Sequence, residues 1–232
     1  MHLSRVIKEQ KLNLYSQYRI ILCFLLLSVL ISILSYISLS HFNKDLTAYQ
    51  FSQIIQNKFT LFYALLPVSF LCLLCFQNYS IVQIFAFGKR TFVVYHYIGI
   101  IFFTQIIIWL GYVLGIIIIS LVIDNNITLN SSQIVYLFWL SISILATQLM
   151  FSFIAAVTQE IFENKLVSII ITYLILALEF VLSNFNIPSV FISVEGSDFS
   201  YLSIIFEILI QISVIIFFLG LLMIIVLRKD FK

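Results

Sequence analysis

Six runs of almost uninterrupted apolar residues dominate this chain: about Ile20–Leu39, Leu61–Phe76, Val93–Ile123, Ile134–Val157, Leu166–Leu182 and Tyr201–Leu227. A helix needs about 20 residues to cross a bilayer, so each run is of spanning size. The third is longer than a membrane requires and must tilt or project beyond it. The runs are continuous rather than alternating, which argues against a strand-built barrel. Only 9% of the 232 residues are charged and 62% are hydrophobic, where soluble domains carry about 25% charge. Such a chain cannot cover a water-facing surface, and disordered, collagen-like and disulfide-scaffold classes are excluded with it. The spans leave no room for a soluble catalytic domain. The expected fold is all-α: a single polytopic membrane domain over residues 1–232.

Orientation follows from the cations. With the N-terminus inside, Arg5, Lys8, Lys11, Arg19, Lys89, Arg90, Lys165, Arg228, Lys229 and Lys232 face the cytoplasm, against Lys44 and Lys58 outside. Six spans with both termini cytoplasmic is the reading. The near-neutral net charge of +2 conceals a basic inner face and an outer one carrying Asp45, Asp124, Glu195 and Asp198. The first run is too long for the apolar core of a signal peptide, and no small-residue cleavage site follows it. An isoleucine-rich, alanine-poor composition fits an AT-rich bacterial genome, so the expected location is a bacterial cytoplasmic membrane.

Motifs of soluble chemistry are lacking. Cys72 and Cys75 form a C-x-x-C pair, but among leucines in a span they read as packing residues, as does Cys23. Asn126-Ile127-Thr128 and Asn130-Ser131-Ser132 match a glycosylation sequon, which carries little meaning in such a composition. Gly88-Lys89-Arg90-Thr91 lacks the first glycine and the Ser/Thr of a phosphate loop. His2, His41 and His96 are scattered. The chain is read as a non-enzyme with no cofactor of its own and no nucleic-acid partner.

Three cytoplasmic segments have the character of contact surfaces. Leu3, Val6, Ile7, Leu12, Leu14 and Tyr15 alternate with Arg5, Lys8, Glu9, Lys11 and Gln17, as in an amphipathic helix on the membrane surface. It serves either as a basic anchor or as an interface that transmits a partner's movement. Between the second and third spans, the apolar Ile81–Phe87 is closed by Gly88, Lys89 and Arg90. That suits a short surface helix with cations at its C-terminal end, or ordinary positive flanking of a span. The loop 158–165 sets Glu160 and Glu163 around Ile161 and Phe162, where the carboxylates can meet a partner's cations or this chain's Lys165 and Arg90.

With Phe87-Gly88-Lys89-Arg90, the amphipathic N-terminus, six spans and a longer outer connection between spans five and six, the chain resembles ABC-2-type transporter permeases. The likeness is to the small, Firmicute-like kind whose ATPase is a separate chain. It is architectural and covers the whole length. It implies a dimer with a second copy or a paralogous permease, and ATP and Mg on the partner ATPase. Gly88, Lys89, Arg90, Glu160 and Glu163 are then the ATPase-docking residues. The implied activity is outward movement of an amphipathic or antimicrobial-type peptide, or another amphiphile, with the segment from Ser183 to Ser200 roofing the exit.

Ionisable residues inside spans are costly and therefore informative. Glu179 and Glu207 lie at matching depth toward the outer side, Glu207 in a stripe with Ser203 and Gln211. Gln105 and Gln148 sit near the middle of spans three and four. Together they form either an acidic substrate path or gate, suited to a cationic peptide, or interhelical hydrogen bonds alone. Ser28, Ser32 and Ser35, with Gly111 and Gly115, read as small-residue packing faces within or between subunits. The alternative function is a membrane immunity or accessory protein that binds a peptide or scaffolds a secretion complex without transporting.

Overall fold

The computed structural model describes residues 18–40, 48–76, 90–123, 130–185 and 201–228; within these, the side chains of residues 39, 40, 48, 49, 76, 90–93, 123, 183, 184, 201 and 203 are not described. Among the described residues all regular structure is helical. The elements are α1 (Tyr18–Ser40), α2 (Ala48–Ile55), α3 (Leu66–Phe76), α4 (Arg90–Ile123), α5 (Ser131–Phe162), α6 (Lys165–Asn184) and α7 (Tyr201–Arg228). A single turn, Lys58–Thr60, and a π-helical turn, Leu61–Leu65, lead into α3. Among the described residues, six helices are long and apolar enough to cross a membrane: Tyr18–Ser38, Gln50–Cys75, Val94–Val122, Ser131–Phe162, Lys165–Leu182 and Ile204–Arg228. The N-terminal amphipathic segment, Gly88 and Lys89, and residues 186–200 lie outside the described residues.

The bundle is built around α5. Its most apolar window is 89% buried, against 17% for α6 and 22% for α7, and every residue from Ala146 to Thr158 is buried. A helix buried on all sides belongs in the middle of a bundle. The sequence of α5 permits this because Ser141, Ser143, Ala146, Thr147, Ser152, Ala155 and Ala156 let neighbouring backbones come close. The outer faces of α6 and α7 carry exposed Leu166, Ile170, Leu174, Phe206, Ile210 and Phe217, a surface suited to lipid.

Helices α1 and α4 run parallel and interlock. A Cβ placed on Gly111 would overlap Ser28 Oγ, and one placed on Gly115 would overlap Ser32 Oγ and stand 3.0 Å from Ser32 Cβ. The serine hydroxyls turn back onto their own helix, to Leu25 O at 2.7 Å and Val29 O at 2.6 Å. Close approach therefore leaves no donor idle in hydrocarbon. The small-residue faces meet each other within one chain.

The second span differs from the expected one. It begins at Gln50 rather than near Leu61 and is interrupted at Gln56 and Asn57. The interruption leaves backbone groups without helical partners, and other helices supply them. Ser35 Oγ donates to Ile54 O at 2.6 Å, and Tyr112 OH donates to Ile55 O at 3.0 Å. Asn57 caps the restart, accepting from Thr60 N at 3.3 Å while its amide donates to Ser38 Oγ at 2.7 Å. Below the cap, the edge-on ring of Phe180 on α6 meets Phe59, Phe62 and Tyr63 at centroid distances of 5.8, 4.9 and 5.2 Å.

Candidate functional site

Polar side chains gather halfway along the bundle. Gln105 is fully buried; its amide donates to Ser69 O across the α3–α4 contact at 3.1 Å and to Thr104 Oγ1 at 3.4 Å. Thr147, on α5, donates to Ser143 O at 3.0 Å and accepts from Gln211 Nε2 of α7 at 3.0 Å. Register joins the two groups. Phe102 and Phe153 are in ring contact at 6.2 Å, and Trp109 Nε1 donates to Ser141 O at 2.6 Å. Between those two pairings, antiparallel α4 and α5 bring Gln105 level with Thr147 and Gln148. The result is a polar layer of Ser69, Thr104, Gln105, Thr147, Gln148 and Gln211 drawn from four helices. Like Gln105 and Gln211, Gln148 has no exposed surface, but neither its Oε1 nor its Nε2 has a partner among the described residues.

The carboxylates stand about one turn from this layer. Glu207 precedes Gln211 by four residues on α7, so it faces the same side one turn higher. On α6, Ser168 pairs with Ala155 O and Thr158 Oγ1, each at 2.8 Å. Glu179, three turns farther along, is thus level with the stretch from Ser143 to Thr147. Both carboxylates are half-buried and flank α5 from two different helices. Of the residues read as a substrate path, Gln105, Gln148 and Gln211 lie at one level of the bundle, with Glu207 one turn above Gln211 and Glu179 level with Ser143 to Thr147.

A second arrangement closes α5. Glu163 adopts a left-handed conformation, φ 54°, and its N–H returns to Gln159 O at 2.9 Å. Asn164 then caps α6, accepting from Leu166 N at 2.9 Å. This two-residue link presents Ile161, Phe162 and Glu163 as exposed side chains next to half-buried Glu160. Of the basic motif on the neighbouring loop, only the backbone of Arg90 is described, as the first residue of α4.

Thr147, Ser69 and Tyr112 were not singled out from sequence. A threonine in an apolar run usually closes on its own helix, and nothing local reveals that Thr147 also accepts from Gln211. Comparison of the chain with protein-family models, curated proteins and solved structures returned no match.

Proposed function

We propose that the chain is the membrane-spanning subunit of an ATP-driven exporter in a bacterial cytoplasmic membrane. It works as a dimer with a second permease and is powered by a separate ATP-binding-cassette ATPase that carries ATP and Mg. The observation that supports this best is the α5–α6 tip. Helix α5 is the buried axis of the bundle, and it ends in exposed Ile161 and Phe162 beside Glu160 and Glu163. An apolar pair with carboxylates at the end of a central helix is suited to a partner that pushes on that axis. The whole chain, tagged and purified from its native membrane in mild detergent, is expected to bring down such an ATPase in near-equal amount. Purification without any ATPase would sink the proposal. Phe162→Asp is expected to reduce recovery of the ATPase at least tenfold. Glu163→Gly relieves the left-handed backbone, so it is expected to keep or raise thermal stability while weakening the complex. A complex unchanged by both variants would remove the tip from the docking role.

The cargo is a cationic amphipathic peptide or a similar amphiphile, drawn by Glu179 and Glu207 above the polar layer. Glu179→Gln combined with Glu207→Gln is expected to lower export or resistance of cells several-fold. Full activity in the double variant would show that these carboxylates serve packing alone.

A further inference from the structure

Several buried hydroxyls of the bundle close on carbonyls of their own helix: Ser28, Ser32 and Ser69, as well as Thr104, Ser141 and Thr158. Ser152 on α5 and Thr172 on α6 have no exposed surface and do not. They lie level with each other. Ser168, one turn from Thr172, meets Ala155 and Thr158, so one turn farther from the link Thr172 reaches the level of Ser152. On α5, Gln148, Ser152, Ala155 and Gln159 follow the spacing i, i+4, i+7, i+11, which is a single face of the helix. Among the described residues, Gln148 lacks partners at both amide atoms, and Gln159 Oε1 is buried without one. Ser120, Ser143, Gln56 Nε2 and Gln105 Oε1 also lack partners among the described residues, but Ser120 and Gln105 are on α4, Gln56 is at the break of the second span, and Ser143 is turned well away from this face.

Unpartnered polar atoms are expensive in hydrocarbon. Here they recur along one seam, with only the small Ala155 between Ser152 and Gln159. The seam runs from the exposed α5–α6 tip to the polar layer at mid-bundle. We infer that the α5–α6 seam admits hydrogen-bonding ligand from the Gln159 end as far as Gln148, whose carboxamide holds a group that both donates and accepts, namely water or an amide. A carboxamide is neutral and presents a donor and an acceptor side by side, which another amide matches with two bonds and a water with bridging ones. The charged part of any cargo is left to Glu179 and Glu207, one turn above. This deepens the proposed substrate path and rests on that reading for its purpose. Its test needs no ATPase, so the two can fail separately.

The test is thiol labelling of the full chain in open membrane fragments, after Cys23, Cys72 and Cys75 are replaced by alanine. A membrane-impermeant, positively charged methanethiosulfonate reacts with thiolate, which requires water at the sulfur. Cysteine at Ser152 or Thr172 is expected to react at least tenfold faster than cysteine at Leu174, which faces outward, or at Ile108, which is buried in another contact. Both substitutions are nearly isosteric, and either position alone suffices. Rates at 152 and 172 equal to those at 108 would overturn the inference. N-acetylglycinamide at millimolar concentration separates the two ligands. Slowing of Ser152→Cys labelling by threefold or more, lost when Gln148→Leu is added, assigns the amide. Rapid labelling that the compound leaves unchanged rules out the amide and assigns water.

Discussion

Replacing Gly115 by leucine is expected to abolish assembly of the bundle, leaving aggregate rather than a monodisperse peak when membranes are solubilised. The backbones of α1 and α4 approach so closely that even a single methyl at 115 meets Ser32 Oγ, with Ser32 Cβ 3.0 Å behind it. Rotation of the hydroxyl relieves the first overlap at the cost of its bond to Val29 O. The Cβ moves only if the helices separate. Overpacking by added methyl or methylene groups typically costs about 1–3 kcal/mol, the range expected for Gly115→Ala; leucine at this contact exceeds it. Ser32→Gly removes both obstructing atoms and is expected to restore the Gly115→Ala variant to near wild-type thermal midpoint. Gly220 supplies the control: among the described residues, nothing lies within 4 Å of a Cβ built there. Gly220→Ala should gain up to about 1 kcal/mol from helix propensity alone. Equal effects of alanine at 115 and 220 would show that the α1–α4 contact is looser than described.

The second large effect belongs to Tyr112. Its ring has no exposed surface and its hydroxyl closes the interrupted second span at Ile55 O. Tyr112→Phe keeps the packing and removes the donor, an expected loss of about 1–3 kcal/mol for a buried acceptor left unmade. Tyr112→Ala adds a cavity, and by analogy with other aromatic truncations the cost rises to about 3–5 kcal/mol. Ser35 serves the adjoining carbonyl, and its Oγ lies 3.5 Å from the Tyr112 hydroxyl. Ser35→Ala and Tyr112→Phe share one cluster and are therefore expected to be non-additive in a double-mutant cycle. Thermal midpoints of the four proteins in the same detergent measure this. Strict additivity would mean that the two hydroxyls act independently on the break.

Much of this architecture can be read from residue order. Continuous apolar runs locate five of the six spans to within a few residues, because a spanning helix leaves little freedom in where its polar neighbours fall. The serine and glycine faces likewise announced close packing, although only coordinates decide that Ser28 faces Gly111 in the same chain. The break before α3 was not legible. Lys58 and Asn57 look like an outer loop, and α2 is too short to register as part of a span. Its joining to α3 as one span depends on Ser35 and Tyr112, far away in sequence. Position alone put Gln105 and Gln148 at mid-span. That the amide nitrogen of one reaches Ser69 O and Thr104 Oγ1, while the other meets no partner among the described residues, depends on helix rotation, which hydropathy does not encode.

The interrupted span also bears on biosynthesis. It has the lowest mean hydropathy of the six, 1.9, and is the weakest candidate for entering lipid unaided. One of its closing donors, Ser35, is already made when it emerges from the ribosome. The other, Tyr112, is translated 57 residues after Ile55. A nascent chain halted between spans two and three would leave Ile55 O without that donor. The second span is therefore expected to settle only when the third arrives, and truncation before Tyr112 is expected to leave its break open.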